Sequence, residues 1–215
     1  MELFNHMFTL KIESLLILAY LIGSFPTGVI IGKIFFHKDI RKYGSGNIGT
    51  TNTFRVLGPV AGIIVFLIDF FKGTLATVLP VIFHLGPHYL CLIFGFAAII
   101  GHAFSIFLKF KGGKAVATTA GFILGYNVHF FLICALIFFP TLFITSMVSL
   151  TSLISILLIF IASFFFHDLA LTILSGILVI LIYWSHRSNI KRLEKHQENL
   201  VPFGLVYWYK KHHQK

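Results

Sequence analysis

The sequence predicts an all-α polytopic membrane protein, and three observations carry that expectation. Hydrophobic residues make up 57% of the 215 positions and charged ones only 11%, with a mean hydropathy of +0.92, leaving too little polar surface to cover a water-soluble globule. The apolar residues come in runs long enough to cross a bilayer, separated by short polar breaks. The net charge of +10 is gathered into a few of those breaks.

The elements follow in order. The apolar run over residues 15–36 reads as the first membrane helix: it is too long for a secretory signal and more spans follow it. Lys38, Arg41, Lys42 and Arg55 fill the first break, which the positive-inside rule puts in the cytoplasm, so the N-terminus lies outside. The second span carries Asp69 and Lys72 at helical spacing, expected to pair because intramembrane charges need partners. The break HLGPH at 84–88 has no Lys or Arg and lies outside. Lys109, Lys111 and Lys114 bring the chain back to the cytoplasm, and Lys191, Arg192, Lys195 and Lys210 hold its tail there. Between these last two regions the chain must cross an even number of times. The breaks YNVH (126–129), SMVSLTS (146–152) and His167-Asp168 divide it into four short spans. Seven transmembrane helices result, with the N-terminus outside and the C-terminus cytoplasmic. Five is the alternative, because the helix starting near Ala115 is short against the roughly 20 residues of an upright span. The expected organisation is one integral-membrane domain over residues 1–185, with cytoplasmic loops 37–55 and 108–114, followed by a cytoplasmic segment over 186–215.

Cys91 and Cys134 lie in apolar segments without a C-x-x-C pair or clustered His, so they read as buried structural thiols; no metal site is expected. No internal repeat of the transporter kind is visible.

Three breaks are richer than a turn requires. KYGSGNIGTTNTFRVLG (42–58) contains Ser45, Gly46, Asn47, Thr51, Asn52 and Arg55. Its glycines let several backbone N–H groups point at one centre, Thr51 or Asn52 can cap the next helix, and Arg55 follows one turn on, a combination suited to phosphate. The plainer reading is a glycine-rich connection. GHAFSIFLKFKGGKAVAT (101–118) sets Gly112 and Gly113 between Lys111 and Lys114 directly before a helix. It is no Walker loop, since Leu108 stands where that motif needs glycine. A basic membrane-anchoring patch accounts for the lysines but not for the glycines. HRSNIKRLEKHQE (186–198) puts His186 and Asn189 on one helical face, where they can act together; alone it also reads as a basic juxtamembrane helix.

In this order, the three motifs resemble the bacterial acyl-phosphate:glycerol-3-phosphate acyltransferases (PlsY) over nearly the whole chain. GSFPTG (23–28), DFFKG (69–73) and the VSL segment with Ser149 and Ser152 are similar to further family signatures. Where the family commonly has Ala, Pro and Gly, this chain has Thr50, Ser105 and His196. The resemblance implies transfer of a fatty acyl group from acyl phosphate to glycerol 3-phosphate, giving lysophosphatidic acid and phosphate, without a cofactor. The partners implied are those two substrates and membrane lipid, with no nucleic acid, at the bacterial plasma membrane. Ser45, Gly46, Asn47, Thr51, Asn52, Arg55, Gly112, Gly113 and Lys114, with Lys111, Ser149 and Ser152, would bind substrate. His186 and Asn189 would orient the acceptor. The HxxxxD pair of the unrelated glycerolipid acyltransferases is absent. A membrane transporter of anions or organophosphates is the competing class; it would require comparable polar sites at midplane in both halves of a repeat.

Overall fold

A computed structural model describes residues 2–213, with the side chains of residues 2–5 left aside. It contains eleven α-helices and, among the described residues, no strand. The contacts divide the chain into two compact units, residues 1–128 and 129–215.

Unit 1 holds α1 (Glu2–Ser24), α2 (Thr27–Phe36), α3 (Thr50–Leu57), α4 (Pro59–Ile82), α5 (Leu90–Ala103) and α6 (Val116–Tyr126). The run at 15–36 is not one helix. Pro26 has no N–H to donate and pushes Phe25 out of helical conformation, so α1 stops at Ser24 and α2 starts afresh. Small residues let the helices of the bundle touch backbone to backbone. A side chain at Gly121 of α6 would strike the Phe70 carbonyl of α4, and one at Gly23 of α1 would strike Ala98 of α5. Ala19, Ala76, Leu79, Leu85, Leu90, Phe94 and Ala98 form a buried cluster among α1, α4 and α5.

Unit 2 holds α7 (Val128–Thr145), α8 (Val148–Ser163), α9 (Leu169–Ser185), α10 (Arg187–Glu194) and α11 (Leu205–His213). Helices α8 and α9 pack together, and Asp168 caps α9 by accepting from Leu171 N–H at 2.9 Å. Helix α7 keeps Leu132, Leu136, Phe139 and Phe143 exposed at intervals of three and four residues, an apolar stripe suited to lipid.

Every apolar segment expected to cross is helical, but not every one is long. Among the described residues five helices meet the length and composition of a span, and a sixth is reached if α9 and α10, bent by 61°, count as one. The count of seven full-length spans is therefore not met, whereas the alternative of five matches the number that qualify. The reason is α6: its 11 residues reach only about 16 Å, roughly half the hydrocarbon thickness of a bilayer. Helix α9, at 17 residues, falls just below the same limit.

Candidate functional site

The first glycine-rich break folds around Asn52, which is almost wholly buried. Its Oδ1 accepts from Ser45 N–H at 2.8 Å, and its Nδ2 donates to the carbonyls of Ile40, Tyr43 and Asn47 at 3.0, 3.2 and 2.8 Å. Those bonds occupy the polar atoms that the sequence reading offered to phosphate and make Asn52 the tie of the loop. Gly44, at φ 59, passes so close that a side chain there would meet Asn52 Oδ1 and the Arg55 stem. Asn47 Oδ1 takes Gly49 N–H at 2.9 Å. Gly49 stands at the N-cap position of α3, which begins at Thr50, so neither Thr51 nor Asn52 is its cap, and among the described residues no side chain caps it. The N–H groups of that turn stay available to an anion, with Ser45, Gly46, Thr51 and Arg55 exposed around them. The Thr50 hydroxyl is buried without a partner among the described residues. Asp39 anchors the approach: its hydrogen bonds and charge contact with Arg41 hold its carboxyl down at about 2.

The second basic break is fastened to the same unit. Leu108 packs on the cluster of Val29, Ile40 and Ile48 that underlies the first loop. Lys109, Phe110 and Ala115 all take left-handed backbone, with φ of 53, 61 and 57, conformations that L-residues hold only when surroundings impose them. The imposition is visible. Gly112 N–H and Gly113 N–H donate to Ala103 O and His102 O at 3.1 and 3.0 Å, and Gly113 lies against the His102 ring with no room for a side chain. Lys114 is half-buried at the start of α6, whereas Lys111 points outward.

Behind this loop is a buried polar cluster. Asp69 Oδ1 accepts from Lys72 Nζ at 2.6 Å and from Thr27 Oγ1 at 2.9 Å, with His102 Nδ1 3.8 Å away. Lys72 also donates to Phe25 O at 3.0 Å. The expected Asp69–Lys72 pair thus exists, and Thr27 and His102 join it. No sequence period could connect residues from α2, α4 and α5, although each is a polar side chain in an apolar helix, the one signal available.

In unit 2, His186 ends α9 at the 61° bend and Asn189 sits in α10; they are 2% and 4% exposed. Burial of that degree does not fit a solvated juxtamembrane helix. His186 Nδ1 is 2.8 Å from the Ile182 carbonyl, which can only accept, so Nδ1 carries a proton. Asn189 Nδ2 donates to Glu198 Oε2 at 3.2 Å, and Arg192 Nε donates to the same oxygen at 3.0 Å. Glu198 follows the end of α10, beyond the reach of helical periodicity, which is why the face analysis missed it. Ser149, in the first turn of α8, has a buried hydroxyl with no partner among the described residues, while Ser152 bonds back to Val148 O at 2.8 Å. Among the described residues no three His, Cys, Asp or Glu side chains gather as metal ligands do.

Known proteins resemble this chain over most of its length. The family model described as glycerol-3-phosphate acyltransferase matches residues 14–196. Glycerol-3-phosphate acyltransferase 2 of Lactobacillus acidophilus is 83% identical over 97% of this chain and 99% of its own length. The glycerol-3-phosphate acyltransferase of Latilactobacillus sakei is 57% identical over 94% and 98%. Among solved structures, the integral membrane glycerol 3-phosphate acyltransferase PlsY (YgiH), in its glycerol 3-phosphate form, superimposes with a TM-score of 0.82 at 32% identity, covering 89% of this chain and 96% of that one. Its lysophosphatidic acid form gives 0.78 at 31% identity, covering 88% and 95%.

Proposed function

This chain belongs to the glycerol-3-phosphate acyltransferase family, and from that premise we propose the reaction in detail: a fatty acyl group passes from acyl phosphate to glycerol 3-phosphate, leaving lysophosphatidic acid and inorganic phosphate. The enzyme is a membrane acyltransferase of phospholipid synthesis. The observation that carries the acyl-phosphate mechanism is the first motif, where an uncapped helix N-terminus, exposed Ser45 and Thr51, and Arg55 surround one loop tied together by Asn52.

Acyl phosphate is a mixed anhydride, so its phosphate already leaves well. The protein has to align two anionic substrates and neutralise charge. Ser45, Gly46, Asn47, Thr51, Arg55 and Lys114 cradle phosphate groups, with Lys111 at the rim and Gly112 and Gly113 admitting the backbone. Ser149 and Ser152 contribute to substrate binding. Asn52 serves by holding the first loop. His186 and Asn189 bind and orient glycerol 3-phosphate. The acceptor hydroxyl oxygen bonds to the acyl carbon, the carbon–oxygen bond to phosphate breaks, and the hydroxyl proton passes to a substrate phosphate oxygen, because an asparagine amide is no base. These motifs lie on the cytoplasmic face of a plasma-membrane protein, N-terminus outside and C-terminus inside, with residues 186–215 cytoplasmic. The asymmetry of Lys and Arg among the breaks supports that orientation. Cysteines placed near Lys42, Lys111 and Lys195 are expected to resist impermeant thiol reagents in intact cells while one near Leu85 labels; the opposite pattern inverts the topology.

The donor is tested with purified enzyme in detergent, where no gradient exists. Acyl phosphate is expected to support transfer to glycerol 3-phosphate, and acyl-CoA of the same chain length to fail, since these short loops offer no bed for a nucleotide arm. Equal turnover with both donors contradicts the assignment. Activity only in sealed vesicles points to transport.

A further inference from the structure

The segment past residue 196, where the family match ends, is built into unit 2. Val201 N–H donates to Ser146 O at 2.8 Å and Tyr207 N–H to Ser146 Oγ at 3.1 Å. Ser146 is fully buried in the turn between α7 and α8, with a left-handed φ of 53. Gly204 turns the chain at φ 98 against the Phe143 carbonyl and Ser146 Oγ, leaving no space for a side chain. That turn launches α11.

Helix α11 has two faces. Val206, Tyr207 and Lys210 are half-buried, whereas Leu205, Trp208 and Tyr209, at positions i, i+3 and i+4, are 51%, 44% and 63% exposed. The exposed stripe has a neighbour. Trp208 meets Phe143 edge-on with ring centroids 5.6 Å apart, and Phe143 closes the stripe of Leu132, Leu136 and Phe139 that α7 leaves bare. Since α7 qualifies as a membrane span, the apolar surface of α11 continues a lipid-facing surface past the end of that helix. Basic residues come directly after it: Lys210, Lys211, His212 and His213 form the last turn. The acid in this segment, Glu198, already holds Arg192 and Asn189 and so does not neutralise them. An aromatic apolar face followed by half-buried Lys210 and exposed Lys211, continuous with a transmembrane stripe, matches the boundary between acyl chains and anionic headgroups.

We propose that α11 is a binding surface for anionic bilayer lipid, with Leu205, Trp208 and Tyr209 inserted at the headgroup boundary and Lys210 and Lys211 facing lipid phosphates. The Ser146 bonds fasten this helix to the turn that precedes Ser149, so lipid engagement steadies that turn.

The test does not use turnover, so its failure leaves the acyltransferase reading untouched. The chain has two tryptophans, and Trp184→Phe leaves Trp208 as the sole emitter. The full-length variant is placed in phosphatidylcholine nanodiscs containing an equal fraction of either brominated phosphatidylglycerol or brominated phosphatidylcholine. Brominated phosphatidylglycerol is expected to quench Trp208 more strongly, with the preference falling about fivefold for each of Lys210→Gln and Lys211→Gln and fading in high salt. If Trp184→Phe does not purify as a monodisperse protein, the difference between wild type and Trp208→Phe gives the same quantity. Equal quenching by the two lipids overturns the proposal. So does an undiminished preference in the double lysine variant, or no quenching by either lipid, which would mean that protein, such as a second copy of this chain, covers the stripe.

Discussion

Replacing Lys114 or Arg55 with alanine is expected to lower acyl transfer by at least about 10²-fold, the scale on which loss of one charge-stabilising donor acts on a developing anion. The two cations differ in setting. Lys114 is half-buried between Gly113 and the left-handed Ala115, whereas Arg55 is exposed with its stem over Gly44. Water screens Arg55 until substrate arrives, so its effect depends on a phosphate closing over it, and Lys114→Ala is the more damaging change. Arg55→Lys keeps the charge but loses the planar fork that grips two phosphate oxygens, and falls between wild type and alanine. If these residues only touch lipid headgroups, both alanine variants lose little, and the loss varies with salt and with added anionic lipid. Steady-state transfer by purified, monodisperse variants separates the outcomes.

Gly112→Ala is the second change expected to abolish activity, for a geometric reason. An added Cβ would run into the carbonyl oxygens of His102 and Ala103, backbone atoms at the end of α5 that cannot swing aside as a side chain can. The same strand of loop must keep Gly112 N–H on Ala103 O and Gly113 N–H on His102 O. Relief comes from moving the loop, and the loop carries Lys114. A displacement of about 1 Å in a positioning group is enough for a 10²-fold loss. Wild-type activity in Gly112→Ala would show that this close approach has no part in placing Lys114. Lys111→Ala, at the exposed rim beside it, is expected to cost less than Gly112→Ala.

Much of this was legible because polar and glycine-rich breaks stand out in an apolar chain. The helices, the Asp69–Lys72 pair and the three motifs all follow from composition, spacing and motif resemblance. What stayed hidden depends on contacts between distant residues. Asn52 looked like a ligand because asparagine in a glycine loop suits anions, yet its four hydrogen bonds close that loop on itself. The helix start at Thr50 escaped because Gly49, with no side chain to cap with, takes the cap position. A continuous apolar run concealed the break at Pro26, which hydropathy averages over. Likewise, the helical face that joined His186 to Asn189 was drawn on a straight helix, while the chain bends by 61° at His186 and Glu198 returns to hold the amide. The short α6 was visible in length alone; its role as a partner of α4 was not.

The central claim is that this site works by aligning two anions, and Asn189→Ala tests it most directly. The substitution leaves the net charge unchanged and removes the amide held between α10 and Glu198. Steady-state transfer should be measured with acyl phosphate and glycerol 3-phosphate both varied, alongside equilibrium binding of acyl phosphate to the same folded, monodisperse protein. The account predicts retained acyl phosphate binding and a kcat lower by about 10²-fold, since the acceptor hydroxyl is no longer aimed at the carbonyl. A near wild-type kcat would contradict it.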